Sequence, residues 1–151
     1  MRLFSAVSLT AIPLALLCPA AAHADNAPVD AAAMQTLLTK AQHAGLRDQC
    51  YLYAKLVHDG TEAAAQDMAS GDREQAAHML VAVEGYASAL NDAMVENTKK
   101  LKEAEILLRE SAFHLRSAML ASTLEDRPAI ASALKSIEAA ESKTMIAVFA
   151  H

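Results

Sequence analysis

The chain has 151 residues, a formal net charge of −5, and 54% hydrophobic against 21% charged residues. That length suits one domain with a real core, and the acidic balance excludes the basic footprint of a nucleic-acid binder. Glycine and proline are scarce, four of each, and the two cysteines form no disulfide framework.

The first element is a leader. Arg2 precedes an apolar run from Leu3 to Leu17, and Ala22-His23-Ala24 is a small-x-small cleavage motif before Asp25. This pattern predicts a secretory signal peptide over 1–24 and an exported chain, periplasmic or extracellular, starting at Asp25. The run is too short for a good membrane span, and no later apolar run reaches that length. Export removes Arg2 and Cys18, making the chain one unit more negative and leaving Cys50 with no intramolecular partner.

Residues 25–29 form a short polar lead containing Pro28. From 30 to 151 the chain is rich in Ala, Leu, Met, Glu, Gln and Lys, and no strand-length alternation interrupts it, so a single all-α domain is expected. Two punctuation points divide it. Gly71 is suited to end a helix in the left-handed conformation, and Asp72 to cap the next one with Gln75 as its box partner. Further on, Asp126 is a candidate N-cap and Pro128 fits a first helical turn. The expected fold is a long helical hairpin, 30–70 and 72–122, plus a third antiparallel helix over 126–149. A break at Gly45 would make four helices instead of three.

Helix-spaced apolar stripes support this reading. They run through Leu46, Cys50, Tyr53, Val57, Gly60, Ala64 and Met68 in the first helix, and Ile130, Leu134, Ile137, Thr144 and Val148 in the last. The middle helix carries Met79, Val83, Tyr86, Leu90, Met94, Leu101, Ala104, Leu108, Leu115 and Met119, a seam like that of a coiled coil with Asn97 as a polar position. A faint internal echo links Asp72-Arg73…Ala77…Leu80 to Asp126-Arg127…Ala131…Leu134. Two helix starts sharing one capping chemistry account for it, and no copy recurs near 34 residues.

The stretch DQCYLYAKLVHD, 48–59, gathers a cysteine, two tyrosines and a histidine. At 100° per residue Cys50 and Val57 share the stripe, while Tyr51 and His58 point away, so no cluster converges there. Cys50 is expected to be buried; an exported unpaired thiol also raises an intermolecular disulfide. Across the hairpin, His58, Glu62 and His78 form one conceivable surface metal cluster. Glu110 and His114 lie a turn apart on an outward face. No Glu-x-x-His pair, haem-attachment motif, phosphate loop or nucleophile elbow occurs. The lysines 99, 100 and 102 are interleaved with Glu96, Glu103 and Glu105 and read as a solvated face.

DQCYLYAKLVHD, TKKLKEAEILLR (98–109) and EDRP (125–128) together resemble uncharacterised exported helical proteins of soil bacteria. That resemblance implies export and helices, with no activity, cofactor or site residue attached. The residues lead to a non-enzymatic protein that binds a protein partner or itself, since Val81 and Ile106 point off the main seam. The alternatives are a metal- or haem-binding bundle and a chaperone-like protein of the periplasm.

Overall fold

The computed structural model describes residues 30–95 and 98–150. The leader, its cleavage site, the polar lead, Glu96 and Asn97 lie outside the described residues. Within them the chain is all-helical: α1 (Ala31–His43), α2 (Leu46–Ser70), α3 (Arg73–Asp92), α4 (Leu101–Ala121) and α5 (Arg127–Phe149). No helix among these residues is long and apolar enough to cross a membrane.

The first helix does break at Gly45. Ala44 and Gly45 adopt extended backbone, with ψ of 156° and 147°. The break lets α1 fold across α2, where Leu37, Leu38 and Ala41 meet Leu52 and Leu56. At the other end of α2, Gly71 takes φ +86° and Asp72 accepts a hydrogen bond from the Gln75 N–H at 3.1 Å. Both features follow the expected turn chemistry.

The expected middle helix over 72–122 is two helices instead of one. α3 stops at Asp92, and α4 begins at Leu101 after Lys100 at φ +55°. Thr98 organises the turn: its hydroxyl accepts from the Val95 N–H at 3.1 Å and donates to the Val95 carbonyl at 2.6 Å. Such local side-chain bonds offer the backbone an alternative to the helix ladder. The Lys99 N–H then donates to the Arg47 carbonyl at 2.8 Å, bringing the turn down onto the start of α2. Packing supplies the driving force. A continuous 72–122 helix would outrun its neighbours, whereas the break folds Leu108, Leu115, Ile130 and Ile137 into one fully buried core with Val57, Val83 and Leu90. The apolar stripes themselves survive, except that Leu46 lies at the surface.

The result is two hairpins side by side. α2 packs on both α3 and α4, and α5 packs on both α4 and α3. Contacts at both ends fix the directions. Lys99 pairs with Asp48 and His114 with Glu62, so α4 runs parallel to α2. Arg73 pairs with Glu125, and Lys143 donates to the Asn91 carbonyl, so α5 runs parallel to α3. The internal echo therefore lies in packing and not in a shared cap. Cys50 and Ala104, Ala54 and Leu108, Leu80 and Leu134, and Val83 and Ile137 are all buried, each pair 54 positions apart. One packing pattern is used twice. Asp126 departs from its expected role: its side chain makes no cap bond but accepts from the Thr123 hydroxyl at 2.7 Å and pairs with Arg73 at 3.5 Å.

Candidate functional site

Between the C-terminal halves of α2 and α4 lies a groove of about 600 Å³. Its walls are single helix faces. Glu62, Ala65 and Ala69 are spaced three and four apart on α2, and His114, Ala118 and Ala121 likewise on α4. Small side chains along these faces leave the room that a pair of leucine faces would fill. Arg73 and Asp126 stand at one end, and Phe113 stands at the edge with 63% of its surface exposed.

The polar centre of the groove is a pair. The His114 ring N–H donates to the Glu62 carboxylate, across the two parallel helices. The His58 ring lies 6.4 Å from that of His114, and its Nδ1 is buried without a hydrogen-bond partner among the described residues. Ser117 lines the same groove, but its hydroxyl donates to the Phe113 carbonyl at 3.0 Å. The Glu62–His114 pair is thus assembled with no hydroxyl or thiol nucleophile held against it among the described residues.

The candidate surface cluster of His58, Glu62 and His78 does not assemble. His78 is on the outer face of α3, 4.0 Å from Glu74 of its own helix. Gly60 and Ala64 take the side of α2 toward α3, where Gly60 meets Val83 and Met79, and this turns Glu62 toward α4. Among the described residues no three His, Cys, Asp or Glu side chains come together as metal donors. His114 is the participant that sequence reasoning missed. On a straight 72–122 helix it pointed outward with Glu110, and only the break at 93–100 brings it over α2.

Cys50 lies fully buried on the core side of α2, as a free thiol. Burial pushes its pKa up from 9.0 to about 11, partly offset by the charge of Lys143. Such a thiol is a core side chain rather than a reactive one. Tyr51, in the same stretch, carries the Lys100 ammonium 4.5 Å over its ring.

No family model, no curated protein and no solved structure matches this chain.

Proposed function

We propose that this is an exported, non-enzymatic binding protein whose working surface is the outer face of α4. Export rests on the leader pattern of residues 1–24. Binding rests on one observation: Ile106, Phe113 and Leu120 are exposed large apolar side chains seven residues apart on one helix. Heptad spacing drifts only about 20° per step, so the three form one line along α4. Leu120 is 85% exposed, and Leu124, beyond the end of α4, is 78% exposed. An exposed apolar line of this kind fits a partner helix or a second copy of this chain. The alanine-lined groove beside Phe113 gives that partner a place to insert a side chain.

The test is direct. Protein recovered from the envelope of an expressing cell is examined for its first residue, its mass in solution and any co-purifying protein. Asp25 is expected as the first residue, together with a dimer or a stoichiometric partner. Phe113→Ser combined with Leu120→Ser is expected to abolish that association while leaving the helical circular dichroism unchanged. Retention of residues 1–24 overturns export. A monomer that captures nothing overturns the binding reading.

A further inference from the structure

The two ends of the bundle carry opposite chemistry. At the end formed by the α2–α3 and α4–α5 turns, Asp67, Asp72, Glu74, Glu125 and Asp126 outnumber Arg73 and Arg127. At the other end a cleft of about 530 Å³ is lined by Arg47, Lys99, Lys100 and Lys102, with Glu103 as its acidic residue and with Ala147 and Val148 from the last turns of α5. Among the described residues Asp48, held by Lys99 at 3.1 Å, and Asp92 at the end of α3 are the other carboxylates at this end. The sequence suggested that Glu105 would offset this cluster, but Glu105 is paired with Arg109 at 3.1 Å, farther along α4. Among the described residues the basic side chains of this cleft therefore outnumber the acidic ones around it.

A second, independent feature lies at the same end. Leu46, next to Arg47, is an exposed apolar side chain, and on α5 Ile146 and Phe149 are 67% and 83% exposed. They flank Ala147 and Val148, which line the cationic cleft. Met145 is also exposed in the same turns. A free phosphate or soluble anion would use the lysines and leave these side chains in water. A bilayer surface takes both, since headgroup phosphates attract the cations while the interfacial region accepts an aromatic and aliphatic rim.

The geometry points to an end-on membrane contact: the Arg47, Lys99, Lys100 and Lys102 end, rimmed by Leu46, Ile146 and Phe149, docks on an anionic lipid surface. The acidic opposite end then faces away from the lipid, which orients the bundle and leaves the α4 face open along its side. This contact does not rest on what α4 binds. Each lysine near an anionic surface strengthens binding about fivefold, and the apolar rim makes the contact depend on more than charge.

The test is co-sedimentation of the protein, as recovered after export, with vesicles of phosphatidylcholine alone or mixed with phosphatidylglycerol. Binding to the mixed vesicles is expected to be at least about tenfold stronger and to weaken at high salt. Lys100→Glu combined with Lys102→Glu is expected to remove that preference by more than about tenfold. Ile146→Ser combined with Phe149→Ser is expected to weaken binding that persists at high salt. All four positions are exposed, and circular dichroism of each variant verifies that the bundle remains folded. Equal binding to both vesicle types, no binding, or indifference to both variants overturns the proposal. The salt series on the unsubstituted protein decides the electrostatic part even where a variant misfolds.

Discussion

His114 is hydrogen-bonded to Glu62, 52 positions earlier, and the same separation relates Arg73 to Glu125 and Asn91 to Lys143. A constant offset at both ends and in the middle means that the second hairpin lies alongside the first without shear. The Glu62–His114 contact holds the α2–α4 half of that interface and forms the polar centre of the groove. Its side chains are partly exposed, 21% for Glu62 and 41% for His114. The pair is therefore worth less than a buried one.

Glu62→Ala and His114→Ala are each expected to cost about 1 kcal/mol in urea unfolding. The double variant is expected to cost less than their sum, by about 0.5 kcal/mol or more. Strict additivity would show that the two side chains do not act on one another in solution.

Two glycines inside helices give opposite expectations. A Cβ on Gly60 would stand 2.8 Å from Val83 Cγ2, whereas a Cβ on Gly85 would meet nothing within 4 Å. Val83 is buried and β-branched, with little rotamer freedom to yield. Gly85→Ala is expected to stabilise by about 0.5–1 kcal/mol through helix propensity. Gly60→Ala is expected to destabilise by about 1–3 kcal/mol as α2 and α3 are forced apart, despite the same propensity gain. Thermal unfolding of the two variants gives the signs. A stabilised Gly60→Ala would mean that the helices slide apart without cost.

The turn that divides the expected middle helix depends on Thr98. Its side chain is nearly buried and makes both bonds to Val95. Thr98→Val keeps the shape and removes both bonds. A loss of about 1–2 kcal/mol is expected, with faster amide exchange at Val95 as the local sign. If the helical signal rises instead and the molecule lengthens in scattering, then α3 and α4 are one helix in solution.

What could be read from the sequence follows from the range of the forces involved. Helix content, the Gly71–Asp72 turn and the apolar stripes are local, set by propensity, capping and period, and they were legible. Leu90, Leu108 and Ile137 were placed correctly in the core on spacing alone. The break at 93–100 was not legible, because Met94 and Leu101 continue the seven-residue spacing straight across it. Its cause is long-range: burying α4 and α5 against α2 and α3 outweighs the lost helical turns. The same break explains the missed half of the groove. Glu62 was named, but its partner His114 depended on which helix came to lie beside α2. The echo between the Asp72 and Asp126 starts was visible but weak as sequence, and it gained meaning only when the buried positions proved to repeat as well.

Cys50 offers the clearest dependence on pH. Its thiol is fully buried, and its pKa is raised to about 11 from 9.0 because burial penalises the thiolate, with Lys143 only partly offsetting this. The folded state thus holds the proton more tightly than the unfolded chain does. For a group raised in this way, the stabilisation is fully present below pH 9.0 and is lost as pH rises toward about 11. The loss over that window is expected to be on the order of 2 kcal/mol. Cys50→Ala removes the titrating group, so its unfolding free energy should fall less over the same window, even though the small cavity left by the sulfur lowers its stability at neutral pH. In the unsubstituted protein a thiol reagent should react slowly near neutral pH and quickly once urea unfolds the bundle. Parallel stability curves for the two proteins between pH 8 and 11, or rapid labelling of the native state, would place the thiol at the surface and reopen the stretch around it as a contact face.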